Sequence, residues 1–271
     1  PKLVVNKKVP YSNRLYKNPS ILQSLNYLKK TISFILFRQK ARLFHMNFRW
    51  GVAYQFSKSW NDVALWRSNK IPNPKNRFLA DPFVIKNGNS HFCFVEDYDY
   101  RTNLGSIAAY KIFPSGHESL GVVLKEDFHL SYPFIFEYNN NIFMCPETHA
   151  KKEIRLYKCQ EFPIKWKFYK TLMSGVSAVD TNIFEYNNKW WMFTNMDDHN
   201  SQLHIFYSDN PLSDKWYPHE LNPVIFDPLR ARNGGLIIVD NQIYRVFQKQ
   251  GFEIYGESCG VAKIISLSST E

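Results

Sequence analysis

The chain has 271 residues, 44% of them hydrophobic and 17% aromatic, with a formal charge of +10 from 34 Lys and Arg against 24 Asp and Glu. That length gives ample core for one large domain with an appendage, and no apolar run approaches the roughly 18 residues of a membrane-spanning helix. The charge is uneven: residues 1–50 hold 11 bases and no acid, while the remaining 23 bases face 24 acids, so the body is near neutral and no nucleic-acid partner is expected.

Pro1 opens the sequence in place of Met, and no signal-like segment follows. The sequence therefore reads as a piece of a longer chain, with an upstream domain and any compartment signal outside it. Cys93, Cys145, Cys159 and Cys259 show no C-x-x-C spacing. Neither a disulfide framework nor a zinc site is expected, which suits a cytoplasmic setting.

Residues 1–47 form a basic leader. Residues 1–19 read as extended, broken by Pro10 and Pro19. A helix is predicted over 20–44, because Ile21, Leu22, Leu25, Leu28, Ile32, Ile35 and Leu36 recur at three- and four-residue intervals. Lys29, Lys30, Arg38, Lys40 and Arg42 make it basic as well as amphipathic. It reads either as a linker helix packed on the body of the chain or an upstream domain, or as an interfacial helix at the inner face of a membrane.

Residues 48–271 read as one domain of repeated hairpins. Residues 48–56 alternate as a strand, with Val63-Ala64-Leu65-Trp66 its expected partner, and these two supply an incomplete closing blade. Four hairpins follow. The first runs Arg77-Phe78-Leu79-Ala80-Asp81-Pro82-Phe83-Val84-Ile85-Lys86, turns at Asn87-Gly88-Asn89, returns through His91–Val95 and ends in Glu96-Asp97. The second opens at Tyr132, turns at Asn139-Asn140-Asn141 and ends in Pro146-Glu147-Thr148. The third opens at Asp180, turns at Asn187-Asn188 and ends in Thr194-Asn195. The fourth opens at Arg232, turns at Asp240-Asn241 and ends in Gln248. The heads at 81, 132, 180 and 232 are spaced by 51, 48 and 52. A period near 50 residues built of short strands predicts an all-β, five-bladed β-propeller.

Equivalent positions of inner strands converge on one funnel. The entries Asp81, Tyr132, Asp180 and Arg232 and the exits Glu96, Glu147, Asn195 and Gln248 are polar where the strands between them are apolar. Carboxylates, amides, a phenol and an arginine suit a polyhydroxylated ligand, and glycosyl chemistry commonly uses two carboxylates. Asp81, Glu147 and Asp180 are the catalytic candidates. Arg77, Glu96, Tyr132, His149, Asn195, Arg232 and Gln248 are the substrate-binding candidates, with Arg232 suited to a phosphate. Asp197-Asp198-His199 reads as a solvated loop. No phosphate-loop, dinucleotide, metalloprotease or nucleophile-elbow motif is present, and no cofactor or metal is expected.

The segments Arg77–Phe83, Ser131-Tyr132-Pro133-Phe134, Cys145-Pro146-Glu147-Thr148, Ala178-Val179-Asp180, Trp191–Asn195 and Leu203–Tyr207 together resemble one family. It is the propeller domain N-terminal in plant glucosamine inositolphosphorylceramide transferases, with similar domains in bacterial surface-polysaccharide proteins. More distantly, the pattern is similar to the five-bladed propellers of family 43 and family 32 glycosidases, in which an Asp-Pro at the first blade carries a catalytic carboxylate. The resemblance implies that Asp81 fills that place, with Tyr132 standing where the hydrolases have a second-blade aspartate. It implies a glycosyltransferase, or its sugar-binding part, in surface polysaccharide or glycolipid assembly. The partners would be a nucleotide- or phosphate-activated sugar donor and a glycan or glycolipid acceptor. A family 43-like hydrolase and a non-catalytic glycan-binding scaffold are the alternatives.

Overall fold

The structure, a computed structural model, describes residues 18–44, 50–196, 201–250 and 256–271. The extended reading of 1–17, the start of the first strand at 48 and 49, and the Asp197-Asp198-His199 loop lie outside them.

One helix, α1 (Ile21–Leu43), precedes the sheets. Its start is a capping box: Gln23 N–H donates to Ser20 Oγ at 3.3 Å, and Ser20 N–H donates to Gln23 Oε1 at 2.8 Å.

A two-stranded sheet comes next, β1 (Val52–Tyr54) with β2 (Asn69–Ile71). The expected partner, Val63–Trp66, is not a strand. Leu65–Arg67 forms a 3₁₀ turn, and the chain pairs only after it.

The first blade is β3 (Arg77–Asn87), β4 (Ser90–Asp99), β5 (Leu104–Phe113) and β6 (Gly116–Leu124). The second is β7 (Ser131–Tyr138), β8 (Asn141–Glu147), β9 (Glu153–Glu161) and β10 (Lys165–Ser174). The third is β11 (Val179–Tyr186), β12 (Lys189–Asn195), β13 (Gln202–Ser208) and the short β14 (Tyr217–Pro218) and β15 (Ile225–Phe226). The fourth is β16 (Asn233–Val239), β17 (Gln242–Lys249) and β18 (Ser258–Lys263).

The molecule is thus an all-β propeller. Four blades are seen among the described residues rather than five, with the β1–β2 sheet beside them. A ring closed by mixing strands from both ends of the chain was expected. Instead every sheet is built from one continuous stretch of sequence.

The hairpins turn where Asn, Asp and Gly were read. Gly88, Asn139, Asn140, Asn187, Asn188, Asp240 and Asn241 all have positive φ, as tight hairpin turns require. The core lies between sheets. Val52, Tyr54 and Ile71 pack on Leu79, Cys93 and Val95 of the first blade. Phe94 and Ile107 meet Met144 and Tyr157 between the first and second blades. Phe134 and Cys145 meet Ile183 and Met192 between the second and third. Phe193 and Leu203 meet Ile243 between the third and fourth. Aromatic residues suit this sheet-on-sheet packing because a large ring spans the gap between blades.

Each inner hairpin carries the same irregularity. The register slips between Ala80 and Phe83, Ser131 and Phe134, Val179 and Asn182, and Asn233 and Gly235. In the first three, the bulged head residue has a left-handed φ: 47° at Asp81, 46° at Tyr132 and 50° at Asp180. Bulges of this kind re-aim a side chain away from the pleat. Six residues before the last paired residue of each strand (Asn87, Tyr138, Tyr186 and Val239) lie Asp81, Tyr132, Asp180 and Asn233, so Asn233 and not Arg232 holds the fourth head slot. There Gly235 takes the positive φ, at 115°.

Candidate functional site

The heads and exits of the inner strands surround one cavity of about 610 Å³. Asp81, Glu96, Tyr132, Glu147, Arg232 and Gln248 line it. Asp180 lies just behind, 1% exposed, bound to Arg232 through Nε–H donating to Oδ2 at 2.5 Å. Gln248 joins the third and fourth contributors to this wall: its Nε2 donates to Asn233 O at 2.7 Å and reaches Asp180 Oδ2 at 3.5 Å.

Two of the exits share a device that ties neighbouring blades. The Glu147 carboxyl accepts the backbone N–H of Asp180. In the equivalent slot of the next blade, Asn195 Oδ1 accepts the backbone N–H of Asn233 at 3.1 Å. Asp81, at a head, likewise accepts the backbone N–H of Tyr132. At the second, third and fourth heads an N–H is freed from the ladder, and the preceding blade supplies the acceptor.

The electrostatics follow from four carboxyl groups and one guanidinium in a desolvated funnel. Burial, then the nearby Asp180, raises Asp81 to about 6, with Arg232 and the Tyr132 N–H pulling the other way. Burial raises Glu147 to about 8, with Asp180 and Asp81 adding and Arg232 opposing. Burial raises Glu96 to about 9, helped by Asp81 and Glu147. Burial also raises Asp180, against the opposing pull of Arg232. Tyr132 is pushed well above the ordinary phenol range by burial, and its hydroxyl donates to Asn182 Oδ1 at 3.0 Å. Near neutrality Asp81 is therefore mostly ionised while Glu147 and Glu96 hold their protons.

The other expected residues lie apart. Asn195 is fully buried and holds Gln202 O and Ala231 O with its amide. Arg77 pairs with Asp97 at 2.8 Å, outside the cavity lining. His149 is exposed, with Nδ1 3.1 Å from Ser177 Oγ, and it does not reach the cavity. Asp97, the neighbour of Glu96 at the end of the first hairpin, is the residue that takes Arg77.

Sequence reasoning missed His129, which lines the cavity. Gly105 N–H donates to its Nδ1 at 2.9 Å, so the ring proton sits on Nε2, 3.5 Å from Glu96 Oε1. Gly105 is required there: a Cβ would meet Leu130 O at 2.4 Å and His129 Cε1 at 2.8 Å. A periodic signal existed. Phe78 and His129 both stand three residues before a head, and both line the cavity. Phe78 stacks on Tyr98, with centroids 4.8 Å apart, and Tyr98 meets His129 edge-on at 5.9 Å, so this wall is aromatic. Among the described residues, no three His, Cys, Asp or Glu side chains gather as a metal site.

The comparisons with known proteins agree with this geometry at the level of family and fold. Residues 57–271 match the model of the family described as glucosamine inositolphosphorylceramide transferase 1, N-terminal. The chain is 38% identical over 208 residues to a glucosamine inositolphosphorylceramide transferase 1 of Oryza sativa subsp. japonica, and 38% identical over 210 residues to that of Arabidopsis thaliana. Each match covers 73% of this chain but only 27% of the relative, so the chain spans about a quarter of their length. In fold it is similar to a thermostable family-43 glycoside hydrolase, with TM-score 0.56 at 10% identity over 70% of this chain and 73% of the other. It is equally similar to a family 117 glycoside hydrolase of Zobellia galactanivorans, with TM-score 0.55 at 12% identity over 81% and 76%. Those identities carry the fold alone. The chain belongs to the family of the N-terminal domain of glucosamine inositolphosphorylceramide transferase 1.

Proposed function

We propose that the cavity is a glycosyl-processing site, serving as or within a glycosyltransferase of surface glycan or glycolipid assembly. One observation carries the reading. Asp81 and Glu147 face the same cavity with proton affinities set apart, about 6 against about 8. Two carboxyl groups divided in this way by their surroundings provide a base and an acid at the same pH. Asp81, ionised, would take the proton of an acceptor hydroxyl or attack the anomeric carbon. Glu147, protonated, would give its proton to the departing oxygen. Asp180 and Arg232 would fix the field between them. The charge of Arg232 is already shared with Asp180, so its hold on a donor phosphate would be weaker than a free guanidinium's.

The relatives' name supports an activated sugar donor and an inositolphosphorylceramide-type acceptor for this chain as well. Tyr132 at the second head supports transfer over hydrolysis, since it gives the cavity a neutral phenol in the slot where the hydrolase pattern resembled above has a carboxylate. Cytoplasmic placement, at a membrane's inner face, completes the reading.

The test is a thermal-shift and product assay on the purified chain. The probes are UDP-N-acetylglucosamine, glucosamine 1-phosphate and neutral oligosaccharides, each with and without an inositol phosphoceramide acceptor. The expected result is a rise in Tm with an activated donor and formation of a glycosylated acceptor. Asp81→Asn and Glu147→Gln should keep the shift and lower turnover by about 10²-fold or more. Reducing sugar released from oligosaccharides, with no transfer, would replace this reading by hydrolysis. Wild-type turnover in both variants would remove the carboxyl pair from the chemistry. No shift with any probe would leave a scaffold.

A further inference from the structure

Two apolar features on the N-terminal side of the chain are left uncovered. On α1, Leu25, Leu28, Ile32, Ile35, Leu36 and Leu43 recur along one stripe, each about half exposed or more. A stripe of this size on a surface helix normally faces a core. The second feature is the 3₁₀ turn Leu65–Arg67, where Leu65 is 82% and Trp66 80% exposed. The Arg67 guanidinium sits 4.4 Å from the centroid of the Trp66 ring.

The charges around both features are mainly basic, with Asp62 the acid beside the tip. Residues 18–44 contain no Asp or Glu, and Lys29, Lys30, Arg38 and Lys40 are exposed on α1. Lys58, Arg67 and Lys70 are exposed around the Leu65–Trp66 tip. The helix is not long and apolar enough to cross a membrane. A basic helix with an apolar stripe lies in the headgroup plane, its cations on anionic lipid and its stripe in the acyl boundary. Exposed Trp beside Leu belongs at the same depth, because the indole is amphipathic. A polyanion such as RNA would engage the cations and leave the stripe uncovered, so the stripe decides between the two.

We propose that α1 and the Leu65–Trp66 tip dock this chain on an anionic lipid surface. The inference stands apart from the carbohydrate reading, since none of these residues lines the cavity.

The experiment is co-flotation of the whole chain with phosphatidylcholine vesicles, with and without about 30% phosphatidylserine. Binding to the anionic vesicles alone is expected, and it should weaken as salt rises from about 0.1 M to about 1 M and the Debye length falls from about 10 Å to about 3 Å. Leu28→Asp with Ile32→Asp should lower binding at least tenfold, and Trp66→Ala severalfold. The propeller Tm should stay unchanged in these variants, which separates lost docking from lost folding. Absence of binding to anionic vesicles would overturn the proposal. So would binding untouched by the stripe variants together with capture of RNA, or a dimer in light scattering that those variants dissolve while vesicles stay unbound.

Discussion

Glu147 and Asn195 occupy the same slot of neighbouring blades, and each accepts a backbone N–H from the head of the next. The fold asks of this slot only an acceptor oxygen. Asn195 supplies that with a buried amide whose remaining hydrogens go to Gln202 O and Ala231 O. Glu147 supplies the same oxygen as part of a carboxyl group open to the cavity, with its proton held to about pH 8. The titratable group therefore exceeds what the architecture needs. A carboxyl is costly to bury, and the amide next door shows that a cheaper residue fits. The first-blade member of the slot, Glu96, faces His129 across Gly105 instead.

The largest break of this comparison is at the cluster's centre. Asp180→Ala leaves Arg232 as a buried charge without its carboxylate and should cost about 3–5 kcal/mol in urea unfolding. Asn195→Ala should come next, at about 3 kcal/mol, because three buried backbone groups lose a partner at once. Gly105→Ala should cost about 1–3 kcal/mol, since Leu130 O and the His129 ring must give way. It should also move the His129 ring proton in an NMR titration. Glu147→Gln should be smallest near pH 5, within about 0.5 kcal/mol, because the acceptor oxygen stays.

The pH dependence sharpens the same comparison. Folded Glu147 keeps its proton to about pH 8, while the unfolded side chain releases it near 4.5. Unfolding thus releases a proton between those values, so the wild-type chain should lose stability as pH rises through that window. Glu147→Gln should flatten part of that loss, and Asn195→Asp should deepen it. Urea midpoints at pH 5, 6, 7 and about 8 decide this. A wild-type profile no steeper than that of Glu147→Gln would place the Glu147 proton elsewhere.

Much of the fold was legible because hairpins advertise themselves. Apolar runs ending in Asn-Gly or Asn-Asn fix both a turn and the register on either side of it. The period then located Asp81, Tyr132 and Asp180. It placed the fourth head one residue early, at Arg232, because the double glycine Gly234-Gly235 moves the register break. The left-handed heads were not legible, since they fall inside apolar strand runs rather than at turns, and Tyr132 does not signal a positive φ by its type. Val63–Trp66 looked like a strand from its apolar content, yet its exposed side chains pack on nothing that would make it one. His149 sits near Glu147 in sequence but beyond the strand end, and the 3₁₀ turn His149–Lys151 carries it away from the funnel.

The sheets drawn each from one continuous stretch have a consequence for how the chain is made. Strand pairing never waits for a distant partner, so a ribosome delivering the chain from its N-terminus can complete each blade before the next emerges. The two ends of the ring meet through Trp60 against Tyr244, with centroids 4.9 Å apart, and Trp50 beside Gly256. Backbone pairing, the slow non-local part of most β proteins, is finished locally. The seam between the last blade and the first sheet lies beside the cavity, which Trp50 and Gly256 both line.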